Sequence, residues 1–239
     1  MLNHLLELRR RALHVFIFFA ALFLLLFFFA ADLFHLLVRP LMQALPSQDS
    51  LIATQITSPL LTPIKLAADA AILGTAPFAL LQAWRFASPG LYQHEKATIR
   101  WGIIGSMLLY CAGVLFCFYL VLPFMLQFFV HAVPTGVRLM PDMTYAIDFI
   151  TRMLLLFGLC FQVPLLCLLC VRLQLVQLTT LKTMRPYIIV AAFTLGMLLT
   201  PPDVLSQIML AIPLCMLYET GIILAVFFTK QPRHGVASG

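Results

Sequence analysis

Glu7 and Glu95 are carboxylates set among cations. Glu7 stands in Glu7-Leu8-Arg9-Arg10-Arg11, and Glu95 is followed by Lys96 and Arg100. Such a carboxylate has two uses. It can pair with its own neighbours (Glu7 with Arg10 or Arg11, Glu95 with Lys96 or Arg100) in exposed bridges that are worth little. It can also receive an incoming cationic segment, because a guanidinium binds a carboxylate through two parallel hydrogen bonds. A second set of polar residues interrupts apolar runs: Lys65 and Asp69, then Gln162 in Phe161-Gln162-Val163-Pro164, then Gln207 and Glu219. At membrane depth such groups face other helices or a cavity. They serve as glue within one bundle, as a dock for a partner helix, or as part of a substrate path. Lys65 and Asp69 are spaced i, i+4, which lets them pair with each other.

Catalytic chemistry finds little purchase. The six histidines (4, 14, 35, 94, 131 and 234) show no metal-ligand spacing. The chain has no phosphate-binding G-x-x-x-x-G-K-[ST] loop and no G-x-S-x-G nucleophile elbow. The cysteines at 111, 117, 160, 167, 170 and 215 all lie in apolar runs, where a thiol packs as a small hydrophobe. The reading is therefore of a non-enzyme with no cofactor and no metal.

The elements that must position these residues are membrane helices. Of 239 residues, 62% are hydrophobic and 10% charged, against about 25% charged in a soluble domain. Runs near the 20 residues needed to cross a bilayer predict six spans, at about 13–31, 64–83, 102–122, 153–171, 187–199 and 204–228. The fold class is thus an all-α polytopic membrane bundle, with residues 1–230 as one six-helix domain and 231–239 as a short cytoplasmic tail. The first run is too long for a cleavable signal h-region. Pro201-Pro202 cannot lie inside one helix, and Asp203 is costly in lipid, so the chain turns between the fifth and sixth spans. The fifth span is short, so either it recruits flanking residues or the bilayer thins around it. The third is expected to end before Pro123. Asp32–Pro63 and Pro123–Arg152 read as long outer loops folded into a cap.

Basic residues set the orientation. With the N-terminus inside, cytoplasmic segments hold Arg9, Arg10, Arg11, Arg85, Lys96, Arg100, Arg172, Lys182, Arg185, Lys230 and Arg233, and outer segments hold only Arg39, Arg138 and Arg152. This positive-inside bias places both ends in the cytoplasm. The basic clusters lack aromatic interleaving, which argues against nucleic-acid binding. A small-solute transporter or channel is the main rival class, but it would show interrupted helices in both halves around a mid-membrane site, and no internal repeat is visible.

Several stretches, in order, resemble the TatC family, the multispanning receptor subunit of the twin-arginine protein translocase. They are His4-Leu5-Leu6-Glu7-Leu8-Arg9-Arg10, Ser58-Pro59-Leu60-Leu61-Thr62-Pro63-Ile64-Lys65, Pro89-Gly90-Leu91-Tyr92-Gln93-His94-Glu95, Arg185-Pro186-Tyr187, and Gly196-Met197-Leu198-Leu199-Thr200-Pro201-Pro202-Asp203 followed by Ser206-Gln207. The resemblance implies a receptor for signal peptides carrying two adjacent arginines, on folded precursors. It places Glu7, Arg9, Phe86 and Glu95 in the signal-binding site. It places Met197, Thr200 and Gln207 where single-span partners of the TatA and TatB type dock, and implies a homo-oligomer within the complex. It also implies transport driven by the proton gradient across the bacterial cytoplasmic (inner) membrane. Where this chain has Gln162, family members often have Glu. Gln keeps the hydrogen bonding but cannot ionise, so position 162 reads as a hydrogen-bonding dock for a partner helix.

Overall fold

The computed structural model describes residues 2–45, 50–87, 96–134, 137–172, 175–199 and 204–229. Helix contacts divide the chain into two compact units, Met1–Leu159 and Cys160–Gly239.

The first unit begins with α1 (Leu2–Phe28), α2 (Ala30–Ala44) and α3 (Ser58–Ala87). It continues with α4 (Lys96–Phe116), a π-helical turn (Cys117–Val121), α5 (Leu122–His131) and α6 (Met143–Cys160). α1 lies antiparallel along α3. Phe18 stacks on Phe78 with ring centroids 4.7 Å apart. A Cβ on Gly74 would come within 2.7 Å of Leu22 Cδ2, so a side-chain-free position lets the two helices close. The rest of α1 is apolar and outward-facing, with Phe16, Ile17 and Phe28 among its exposed residues. In a bilayer those side chains meet lipid, which removes the cost of exposing them.

Prolines account for the differences between the predicted and observed helix ends. Pro123 does not stop the third span, which runs on to His131. A proline in a regular helix crowds the carbonyl four residues back and leaves it without a donor. Here the preceding turn widens, and the Leu122 N–H donates to the Cys117 carbonyl five residues back, the π spacing that makes room for such a break. Pro59 lies in the first turn of α3, where no N–H is required, so that helix starts at Ser58 rather than near Ile64. The fourth span starts ten residues earlier than predicted, at Met143, and breaks at Phe161-Gln162. Pro164 has no N–H for the Cys160 carbonyl, and the helix restarts where Leu166 N–H donates to the Gln162 carbonyl at 2.9 Å. Much of the two predicted outer loops is therefore helix.

The Lys65–Asp69 pair does not form. Lys65 Nζ instead reaches Asp148 Oδ2 on α6 at 2.6 Å. Asp69 Oδ2 accepts from Thr151 Oγ1 at 3.1 Å. Nearer the α3 start, Thr62 Oγ1 lies 2.9 Å from Thr144 Oγ1, which also donates to Ser58 Oγ at 3.3 Å. A polar ladder thus joins one face of α3 to one face of α6.

Asp142 caps α6, accepting from the N–H groups of Thr144 and Tyr145 on Oδ1. Its Oδ2 accepts from Thr54 N–H and Oγ1 at 2.9 and 2.6 Å. Beside it, Ile52 N–H donates to the Pro141 carbonyl and Met143 N–H to Ile52, clasping the segment before α3 to the start of α6. The Thr54 hydroxyl and N–H hold the Asp142 carboxyl down at about 2, from 3.8. A depressed carboxylate stabilises the fold above its unfolded value and loses that contribution as pH falls through the folded value. Exchange protection of the Met143 amide should therefore persist as ordinary carboxylates protonate and vanish only near pH 2. In Asp142→Asn that acid step should be absent.

The second unit holds α7 (Val163–Arg172), α8 (Leu178–Thr183), α9 (Arg185–Leu199) and α10 (Val204–Thr229). α7 and α9 pack on α10. Cys167, Val171, Leu181, Tyr218, Ile222 and Ala225 form its buried core, and Tyr218 Oη donates to the Leu181 carbonyl at 2.7 Å. Arg185 Nη2 pairs with Glu219 Oε2 at 2.7 Å, fastening the start of α9 to α10.

Among the described residues, five helical stretches are long and apolar enough to cross a membrane: Leu6–Phe28, Ser58–Ala83, Gly102–His131, Met143–Arg172 and Gln207–Phe227. The sixth, α9, has 15 residues. At 1.5 Å per residue it rises about 22 Å, short of a hydrocarbon core of about 30 Å.

Candidate functional site

The first candidate site lies at the start of α1. Its run of Glu7, Arg9, Arg10 and Arg11 falls inside a continuous helix, so residues four apart share a face. Glu7 pairs with Arg11. Arg11 Nη2 stands 2.5 Å and Nε 3.2 Å from the same oxygen, Glu7 Oε1. Arg11 Nη1 turns to α3, where it lies 3.4 Å from both the carbonyl and the side-chain Oε1 of Gln82. The Glu7 and Arg11 side chains are 38% and 22% exposed, half in contact with the protein and half open to approach. Arg9 and Arg10 are exposed on the same turn, and Arg85 is exposed near the α3 end. Among the described residues of α1, Glu7 is the one carboxylate, and it is held by Arg11.

Of the four residues expected to bind the signal, Glu7 and Arg9 lie on one turn of α1. Phe86 lies in the last turn of α3, the helix that Arg11 reaches. Glu95 lies outside the described residues. Sequence reasoning did not single out Gln82. It stands 71 positions from Arg11, and only the antiparallel packing of α1 on α3 brings the two together.

The second candidate site lies in the second unit. At the end of α9, a Cβ on Gly196 would stand 3.5 Å from Gln207 Cα, so α9 and α10 converge there. Met197, the next residue, is exposed and Gln207 is half-buried. These two expected docking residues share one end of the helix pair, and Thr200, between them in sequence, lies outside the described residues. Gln162 is 4% exposed and belongs elsewhere. It sits two residues before Pro164, and Pro164 packs on Gly221. Gly221 is 14 residues along α10 from Gln207, about 21 Å at the helical rise. Gln162 is therefore not part of the Met197–Gln207 cluster.

The comparisons with known proteins cover almost the whole chain. The family model for the Sec-independent protein translocase protein (TatC) matches residues 3–213. The chain is 42% identical to the Sec-independent protein translocase protein TatC of Haemophilus influenzae, over 98% of this chain and 90% of that one. It is 37% identical to the Escherichia coli K12 protein of the same name, over 98% and 91%. A crystal structure of the twin-arginine translocase receptor TatC superposes with a TM-score of 0.86 at 33% identity, covering 95% of this chain and all of that one. With the apolar spans and a six-helix membrane architecture already established, this chain belongs to the TatC family of Sec-independent protein translocase proteins.

Proposed function

We propose that this multi-pass protein of the bacterial inner membrane is the signal-peptide receptor and core subunit of a twin-arginine translocase. The observation that carries the reading is Glu7, a partly exposed carboxylate near the start of α1, held by Arg11 with Arg9 and Arg10 exposed on the same turn. A site that selects adjacent arginines needs fixed carboxylates with room for a guanidinium fork. Glu7 supplies one and Glu95 the other. Arg9 and Phe86 flank them, repelling misplaced cations and covering the apolar stretch that follows the arginine pair. Met197, Thr200 and Gln207 receive the helices of single-span TatA- and TatB-type subunits, and Gln162 offers a separate hydrogen-bonding dock. Copies of the chain assemble with one another within the complex. The proton gradient supplies the energy, and no residue of this chain performs catalysis or needs a cofactor.

The test is photocrosslinking of a twin-arginine signal peptide to membranes that contain the protein. Crosslinks near Glu7 and Glu95 should weaken in Glu7→Ala and in Glu95→Ala. Each loss should be about 10-fold in affinity or more, as for a charged hydrogen bond worth about 1.5–3 kcal/mol. A twin-lysine peptide should crosslink poorly. Unchanged crosslinking in both variants would overturn the receptor reading.

A further inference from the structure

Arg11 already occupies the carboxylate that an incoming arginine must find. Its Nη2 and Nε both bond Glu7 Oε1. Its Nη1 points to the carbonyl and side chain of Gln82. One guanidinium therefore neutralises Glu7 and straps the start of α1 to the end of α3. Joint occupation by a second guanidinium is disfavoured. Two cations about 4 Å apart repel by roughly 1 kcal/mol in water and about 4 kcal/mol near a protein surface, and Arg9, Arg10 and Arg85 add to that field.

We propose that Arg11 is a built-in competitor for the signal arginine, and that binding of the signal exchanges one guanidinium for the other and releases the α1–α3 strap. The proposal rests on the reading of Glu7 as a signal-binding residue. Arg11 acts through Glu7 and is a positioning residue. It holds the carboxylate in place while the site is empty, so less ordering remains to be done when the peptide arrives. In exchange, the worth of the partly exposed Glu7–Arg11 pair is subtracted from what Glu7 contributes to affinity. The 3.4 Å contacts to Gln82 are long for hydrogen bonds, so the strap yields at small cost. Once displaced, Arg11 swings toward solvent on the turn that already exposes Arg9 and Arg10.

The sign of one substitution separates this from a structural role. A residue that merely stabilises α1 weakens binding when it is lost, whereas a competitor strengthens it. The experiment measures fluorescence anisotropy of a labelled twin-arginine signal peptide with the full chain in detergent micelles. Arg11→Gln should bind the peptide about 2–5-fold more tightly, the worth of a partly exposed ion pair. Arg11→Lys keeps the charge but not the fork, and should fall between wild type and Arg11→Gln. Gln82→Leu loosens the strap from the other side and should tighten binding by a smaller factor, which keeps the test open if Arg11→Gln folds poorly. In a Glu7→Gln background the gain from Arg11→Gln should disappear. If Glu7→Gln weakens binding while Arg11→Gln and Gln82→Leu match or fall below wild type, the competitor role is overturned and the receptor reading stands. If Glu7→Gln binds as wild type does, the receptor reading itself fails.

Discussion

Replacing Gly221 with valine should destabilise the α7–α10 pair by about 3 kcal/mol, toward the upper end of overpacking costs. A Cβ at position 221 would stand 2.9 Å from Pro164 Cα and 3.2 and 3.3 Å from Cys167 Cβ and Sγ. Carbon atoms meet favourably at about 3.5–4.0 Å. The nearest obstacle is backbone on a second helix, not the tip of a flexible side chain, so no rotamer change relieves it. The helices must separate instead, and the cost spreads into the core around Gly221: Cys167, Val171, Tyr218, Ile222 and Ala225. The bond from Tyr218 Oη to the Leu181 carbonyl lies in the same cluster. In membranes small residues at helix interfaces replace the missing hydrophobic drive with close packing, so there is little other stabilisation to absorb the loss. Tyr218→Phe is the scale. It removes one hydrogen bond without moving a helix and should cost about 1 kcal/mol. Equilibrium unfolding of the protein in mixed micelles reads both variants. A loss of less than about 0.5 kcal/mol for Gly221→Val would show that α7 and α10 pack more loosely at this point than their geometry requires.

How far the chain could be read in advance depended on whether the deciding partner was near in sequence. The break between α9 and α10 was readable because two adjacent prolines exclude a helix on their own. Pro123 misled because a single proline is tolerated where the turn before it widens, and the sequence carries no local signal for the widened turn Cys117–Val121. The apolar runs announced membrane helices, since lipid imposes their length and composition directly. They did not announce α2, a helix whose sequence carries Asp32, His35, Arg39 and Pro40.

The site followed the same rule. Glu7 with Arg11 was legible from a four-residue spacing, while Gln82 was hidden 71 positions away. Gln162 stands apart from Met197 and Gln207, because Gln162 is tied to the Pro164 break and the other two to the Gly196 approach. The spacing rule that found Glu7–Arg11 was wrong at Lys65–Asp69. An i, i+4 pair on an isolated helix gains only about 0.2–0.5 kcal/mol, so any cross-helix partner with better geometry displaces it. Ser58, Thr62, Lys65 and Asp69 on one helix, and Thr144, Asp148 and Thr151 on another, repeat at intervals of three and four. Each set alone is a polar stripe, and only packing shows that the stripes face each other.

That distinction yields a measurable coupling. Asp148 is 15% exposed and accepts Lys65 at 2.6 Å, with Arg152 Nη2 at 3.9 Å from the same oxygen. Asp148→Leu leaves Lys65 and Arg152 without their carboxylate. Breaking a fully buried pair costs about 3–5 kcal/mol. Lys65 and Arg152 are 46% and 67% exposed, and long side chains can carry their charge toward water, so the expected loss here is smaller, about 2 kcal/mol. Lys65→Met alone should cost less, because Arg152 still faces Asp148. The double variant should recover part of the sum, giving a coupling of about 1 kcal/mol between positions 65 and 148. The same cycle run with Asp69→Leu should give a clearly smaller coupling, since Asp69 is hydrogen-bonded by Thr151 and meets Lys65 only as a nearby charge. The opposite pattern, with strong coupling to Asp69 and none to Asp148, would mean that the two stripes do not face each other in the membrane and that the local spacing rule decides the pairing after all.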